Sequence, residues 1–167
     1  MYENMEKYHL RRLDKEIKDL EQMKKILKTA QFMTISMAVK NQPYLVSLTY
    51  AYDENGNCLY FHCAPEGKKI EYLKKNNLVW GEVLLDYGYS QGECTHLYAS
   101  VHFSGRVKFV EDSNERNHVF ELMIKRLDKD PEKLVKKMLA QVDSSNVLVG
   151  RIDIDYMSGK KSKEISI

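Results

Sequence analysis

Residues Tyr98 to Val110 alternate without a break. Ala99, Val101, Phe103, Gly105, Val107 and Phe109 fall on one face, and Tyr98, Ser100, His102, Ser104, Arg106 and Lys108 on the other. A period of two marks a strand with one apolar and one polar side, and a helix cannot keep those two sets apart. Alternation of this kind fits a closed or strongly curved sheet, which removes exposed edges.

The neighbouring segments agree with a sheet protein. Met33, Ile35, Met37 and Val39 share one side of a second alternating strand, Met33–Val39. A turn at Asn41-Gln42-Pro43 and a strand from Tyr44 to Tyr52 follow, then a hairpin loop at Asp53–Asn57 and a strand over Cys58–Cys63. Leu78–Asp86 is a continuous apolar run that reads as a buried central strand, with Tyr87–Thr95 as a loop. Val147–Tyr156 reads as the last strand, with a basic tail from Gly159-Lys160-Lys161.

Helices are marked by their caps. Asp19-Leu-Glu-Gln22 is a capping box ahead of Met23, Ile26, Leu27 and Ala30, which share one helical face. Asp112-Ser-Asn-Glu115 caps a helix to about Leu127, and Asp130-Pro131 opens another. The helix at about 67–75 is expected to end at Asn76-Asn77 in the left-handed conformation. Residues 1–18 are strongly charged and weakly periodic, and read as an arm rather than a core element. Residues 19–167 then read as a single α+β domain, a mostly antiparallel β-barrel or strongly curved sheet of about six strands with peripheral helices.

Composition narrows the function. A chain of 167 residues with 43% hydrophobic and 30% charged content can bury a core without staples. A net charge of +2 is too mild to argue for nucleic acid or an anionic membrane. Three cysteines, Cys58, Cys63 and Cys94, form no CxxC pair and leave one over, which points to reduced thiols in a cytoplasmic protein. No stretch approaches the length of an apolar membrane span, and the first residues lack a signal-peptide core.

The segment Leu59–Leu73 carries the chemistry. A strand breaks at Pro65, turns at Gly67 and enters a helix whose first turn holds Lys68 and Lys69. Cations there face the positive end of the helix dipole and are disfavoured by roughly 0.3–1 kcal/mol each. A bound phosphate reverses the sign, because backbone N–H groups and both ammonium groups then converge on one anion. The plainer reading is a pair of solvated lysines offset by Glu66 and Glu71.

Five motifs in order then resemble the FMN-binding split-barrel superfamily, in the pyridoxamine-phosphate oxidase-related branch that includes the nitroimidazole-resistance (Nim-type) proteins. They are Arg11-Arg12-Leu-Asp14-Lys-Glu16-Ile17; Pro43–Leu48; Leu59-Tyr-Phe-His62 with Glu66–Ile70; Tyr98–Val101 with Phe103–Arg106 and Val110–Asp112; and Ile152–Ile154 ending in Ser158-Gly-Lys160. The resemblance implies a homodimer with FMN at its interface. It implies that Val46, Ser47, Leu48 and Thr49 border the flavin, that Phe61 and His62 continue the wall, and that Gly67, Lys68 and Lys69 hold the phosphate. Ser100 joins the implied cofactor contacts, and His62 is the implied proton donor near the ring. The second strand carries no arginine and no tryptophan follows Trp80, unlike the oxidases proper, so oxidation of a vitamin B6 phosphate is not expected.

Other candidates are weaker. His62 can equally serve as a histidine bonded to a backbone carbonyl at a barrel rim, and His102 reads as a surface or interface residue. Cys94-Thr-His96, taken with Cys63 and His62, matches no common zinc-ligand spacing, so no metal is assigned. No dinucleotide fingerprint or Walker loop is present. The 11 tyrosines fit barrel packing or a dimer interface better than a nucleic-acid platform. The expected activity is an FMN-dependent oxidoreductase that passes electrons from reduced nicotinamide or another small donor to a small acceptor such as a nitro-aromatic compound. The alternatives are a flavin-binding or storage protein without turnover, and a relative that binds haem or a deazaflavin.

Overall fold

In a computed structural model, the structure describes residues 10–141 and 146–167. The first nine residues of the expected arm lie outside the described residues. A 3-10 turn at Leu13–Lys15 leads to β1 (Glu16–Ile17) and α1 (Leu20–Thr29). Strands β2 (Phe32–Val39), β3 (Gln42–Thr49), β4 (Ala51–Asp53) and β5 (Cys58–Cys63) precede α2 (Lys68–Lys75). The chain continues through β6 (Leu78–Ser90), β7 (Thr95–Phe109), α3 (Ser113–Leu127), α4 (Pro131–Gln141) and β8 (Leu148–Lys161). The described residues thus hold eight strands, not about six.

The strands form one antiparallel sheet in the order β3-β2-β6-β7-β8-β5-β4, with β1 added to β8. Its two end strands, β3 and β4, are separated in the chain by Tyr50 alone, so the sheet curls until its ends meet. No ladder joins them. The result is an α+β antiparallel sheet wrapped into a barrel with a split, in agreement with the sequence reading. The expected continuous strand over Tyr44–Tyr52 breaks at Tyr50 because its two halves pair with opposite ends of the sheet.

Tyr50 is fully buried, and its hydroxyl donates to the carbonyl of Leu27 at 2.6 Å. Arg126 from α3 donates to the Tyr50 carbonyl at 2.7 Å and to the Ala30 carbonyl, with its guanidinium 4.3 Å from the Tyr50 ring centroid. One arginine therefore ties α3, the C-terminal end of α1 and the join between the sheet ends.

The barrel interior is filled by Met33, Ile35 and Met37 of β2, Leu59 and Phe61 of β5, Val83 of β6 and Val101 and Phe103 of β7. Ile26 and Leu27 of α1 join the same core, consistent with Asp19 capping that helix by accepting from the Glu21 N–H at 2.9 Å. A glycine sits opposite each buried ring: Gly81 faces Phe103 and Gly150 faces Phe61 across adjacent strands. A Cβ at either glycine would lie 2.2 or 2.3 Å from the ring tip, so the rings occupy the space a side chain would need. Tyr60, on the other side of β5, packs with Val119, Phe120 and Met123 of α3 in a second cluster outside the barrel.

Several local expectations change. The β2–β3 turn is Lys40-Asn41, both at positive φ as a two-residue primed turn requires, and Pro43 lies in the edge strand β3. Asn76 is extended (φ −151°), because its side chain donates to the Ala38 carbonyl and its neighbour Asn77 bonds to Val107. β6 is half-buried: Val79 and Val83 point inward while Trp80 and Leu84 are exposed. β6 and β7 extend through most of the expected loop at 87–95. Gly159-Lys160-Lys161 continues β8, and Ile17 of the expected arm is buried against Gly159 on β1.

Candidate functional site

The split leaves one flank of β3 without a strand partner, facing the end of β5 and the start of α2. A groove of about 330 Å³ lies there, within the range of roughly 300–1,000 Å³ typical of small-molecule sites. Val46, Ser47 and Leu48 line it from β3, and Gly67, Lys68 and Lys69 from the entry to α2. Six of the residues expected at the cofactor thus meet in one place, although the chain separates them by a hairpin and two strands.

The entry to α2 has an unusual electrostatic balance. Gly67 occupies the N-cap position at φ 116°, and no side chain caps the helix. The N–H groups of Gly67, Lys68, Lys69 and Ile70 have no intrahelical acceptor, since the first helical bond runs from the Glu71 N–H to the Gly67 carbonyl. Lys68 and Lys69 form no ion pair among the described residues, so Glu66 and Glu71 do not offset them through direct contacts. Instead Lys68 Nζ sits 4.5 Å from the Tyr44 ring centroid and 5.6 Å from that of Tyr72, while Lys69 Nζ sits 5.7 Å from that of Phe61. These rings hold the ammonium groups beside the groove without neutralising them. A Cβ at Gly67 would meet nothing within 4 Å, so an anion can approach the backbone there.

The remaining expected residues lie elsewhere. Phe61 is fully buried with its ring in the core, and Thr49 pairs with Phe32 at the far end of β3. Ser100 lines a separate, larger cavity on the outside of the sheet. His62 points away from the groove, toward α3, with Nδ1 3.5 Å from the Met123 sulfur and its ring 6.5 Å from that of Phe120. Part of the ring remains exposed, yet burial against α3 and repulsion from Lys69 hold its pKa below the ordinary value. Strand alternation sends Cys63, not His62, into the groove. Burial raises the Cys63 thiol pKa, and the Lys69 ammonium opposes that shift. Tyr44, Cys63, Ala64 and Glu66 also line the groove, beyond the residues that the sequence reading assigns to the cofactor. The alternation of β5 about the inward-facing Leu59 and Phe61 was the available signal for Cys63.

Among the described residues there is no group of three metal-ligating side chains, and no helix is long and apolar enough to cross a membrane.

A groove with an anion-ready helix entry thus opens at the split of an antiparallel β-barrel. Residues 19–161 match the family described as pyridoxamine 5'-phosphate oxidase, and the chain belongs to that family. A protein described as a 5-nitroimidazole antibiotic resistance protein from Bacteroides thetaiotaomicron is 27% identical, with 87% of this chain and 86% of that one covered and a TM-score of 0.70. An FAD-binding protein from Mesorhizobium loti is 26% identical over 87% of this chain and 96% of its own, with a TM-score of 0.63. A flavocytochrome from Azotobacter vinelandii, 18% identical over 95% and 75% with a TM-score of 0.67, shares the fold. No curated protein sequence matches the chain.

Proposed function

We propose that this chain is an FMN-binding flavoprotein of the oxidoreductase type, which takes electrons from reduced nicotinamide or another small donor and passes them to a small acceptor such as a nitro-aromatic compound. The observation that carries the reading is that Lys68 and Lys69, which make no ion pair among the described residues, stand beside four N–H groups without an intrahelical acceptor at the edge of the groove. That set fits a phosphate monoester, and FMN ends in one. FMN, when bound, supplies the redox chemistry. Gly67, Lys68 and Lys69 anchor the phosphate. Val46 and Leu48 offer an apolar wall, and the free flank of β3 offers backbone donors and acceptors to the polar edge of a ring. Membership in the family and the similarity to an FAD-binding protein support a flavin over other phosphate ligands.

A homodimer belongs to the same proposal. The register places Leu45, Ser36, Trp80, Ser104 and Tyr156 in one row across five strands on the outer face of the sheet. Phe32 and Leu84 lie on that face, so it exposes four large apolar side chains beside the edge that borders the groove. Large apolar side chains exposed on one sheet face, on either side of the polar row Ser47–Thr34–Glu82, mark a recognition surface, and a second copy of the chain is the partner it fits. Cytoplasmic placement is also proposed, from three unpaired thiols.

Two spectra test the function. The purified protein, or the protein mixed with FMN, should show bound-flavin absorbance, and anaerobic addition of reduced nicotinamide or another donor should bleach it. A Soret band in place of flavin absorbance contradicts the cofactor. Bound flavin that no donor bleaches contradicts the enzymatic reading and leaves a storage protein.

A further inference from the structure

Two tyrosines hold Lys68 at the edge of the groove. Its ammonium lies over both rings, 4.5 Å from the centroid of Tyr44 and 5.6 Å from that of Tyr72. The ring centroids are 5.3 Å apart and the planes are tilted by 52°, so the two faces form one wedge. The wedge joins elements that the chain keeps apart. Tyr44 shares a side of β3 with Val46 and Leu48, the apolar wall of the groove. Tyr72 follows Lys68 by about one turn of α2. Both tyrosines are half-buried and pack against the barrel core, which fixes the place of each ring. Lys69 has a single and more distant ring, Phe61 at 5.7 Å.

Such a wedge does for an anion-binding lysine what a carboxylate cannot. A carboxylate beside Lys68 would fix its position but would also compete with an incoming phosphate. An aromatic face attracts the cation through its quadrupole and leaves the charge whole. Lysine is among the side chains that lose most freedom on ordering. A restraint already present without ligand removes part of that cost from the binding step. Lys68 is exposed and makes no ion pair among the described residues, so its charge meets an arriving anion uncompensated.

We infer that Tyr44 and Tyr72 are positioning residues for phosphate recognition. Their rings hold the Lys68 ammonium in place before the cofactor arrives, and through Lys68 they set how strongly the site prefers FMN to riboflavin. The inference rests on the assignment of the flavin phosphate to the entry of α2. It gives Tyr44 a task that reaches beyond the wall of the groove.

Two measurements test it. In the flavin-free protein, the protons on the Lys68 carbon next to the ammonium should resonate upfield of those of the other lysines, shielded by the rings, and should move back in Tyr44→Leu. FMN and riboflavin affinities are then measured in the wild-type protein and in four variants: Tyr44→Leu, Tyr44→Phe, Lys68→Ala and Tyr44→Leu/Lys68→Ala. Tyr44→Leu should lose about fivefold or more for FMN and less than about twofold for riboflavin. Tyr44→Phe keeps the ring face and should stay within about twofold of wild type for both ligands. In the Lys68→Ala background, Tyr44→Leu should change neither affinity by more than about twofold, because the ring has no ammonium left to hold. Should Tyr44→Leu fail to fold, Tyr72→Leu takes its place, with a smaller loss expected from the more distant ring. The FMN-to-riboflavin ratio is read within one protein, so a general loss of stability does not imitate the effect. The inference is overturned if the Lys68 protons show no upfield shift, or if Tyr44→Leu weakens both flavins equally or tightens FMN. It is also overturned if Tyr44→Phe loses as much as Tyr44→Leu, or if the Tyr44→Leu loss persists without Lys68. Should Lys68→Ala/Lys69→Ala bind FMN and riboflavin in the wild-type ratio, the phosphate assignment itself fails and the inference falls with it.

Discussion

Replacing Arg126 with alanine should loosen the point at which the two ends of the sheet meet. The guanidinium donates to the carbonyls of Tyr50 and Ala30, two residues with 0% and 4% exposure, and stacks on the Tyr50 ring. A hydrogen bond from a charged donor contributes about 1.5–3 kcal/mol, and stranding a buried carbonyl costs about 1–3 kcal/mol. The two bonds share one side chain, so their contributions do not simply add. We expect a loss of about 3 kcal/mol, which for a domain of this size lowers the melting temperature by roughly 6–12 °C. Lysine at the same position keeps the charge but cannot fork to two carbonyls, and should cost about half as much. Urea denaturation measures the loss through the midpoint, with the slope as a check that the denatured state is unchanged. Because Tyr50 sets where β3 leaves the barrel, the alanine variant should also bind FMN more weakly. A loss under about 0.5 kcal/mol, the range of ordinary surface substitutions, would refute the role assigned to Arg126.

Gly81→Ala should destabilise by about 1–3 kcal/mol through its clash with the Phe103 ring. Phe103→Leu in the same chain should recover part of that loss, with a coupling above about 1 kcal/mol in a double-mutant cycle; simple additivity would contradict the packing. The Asp53 carboxylate is subject to burial, which raises its pKa, but hydrogen bonds from His118 and from the N–H groups of Gly56 and Asn55 outweigh it and pull the pKa below the ordinary value. Its contribution to stability is therefore complete above the unfolded pKa of about 3.9 and fades as pH falls through the lower folded value. Asp53→Asn should flatten the acid limb of a stability–pH curve below about pH 4, and an unchanged limb would count against the bonds. Cys63 lies in the groove whereas Cys94 is exposed at a hairpin tip. Saturating FMN should slow alkylation of Cys63 and leave that of Cys94 unchanged, as peptide mass mapping would show; equal rates at Cys63 with and without FMN would remove it from the site.

Elements governed by local chemistry were legible in the sequence. Asp19 and Asp112 cap the helices expected of them, and the alternation of Met33–Val39 and Tyr98–Val110 gives the buried faces of β2 and β7. Pairing between distant strands was not legible. Nothing in Tyr44–Tyr52 says that its halves join opposite ends of a sheet, because that break is imposed by Arg126 and Leu27 far along the chain. Leu78–Asp86 reads as fully buried because hydropathy does not distinguish a core face from an apolar outer one. The lysines of Gly159–Lys161 read as a tail, although β8 is held there by β7 and β1. At the site, the helix entry was visible as misplaced charge at Lys68 and Lys69. The role of His62 rested on resemblance, and strand alternation puts Cys63 in the groove in its place.

The entry to α2 is proposed to hold the phosphate of a flavin. It is tested most directly by comparing FMN with riboflavin, which lacks only that phosphate, in the wild-type protein and in Lys68→Ala/Lys69→Ala. With two charge-assisted contacts of about 1.5–3 kcal/mol each, the variant should lose roughly a hundredfold or more in FMN affinity. Riboflavin affinity should stay within about threefold, since the wall from β3 is untouched. Equal losses for both ligands would show that the lysines do not read the phosphate, and would contradict the account.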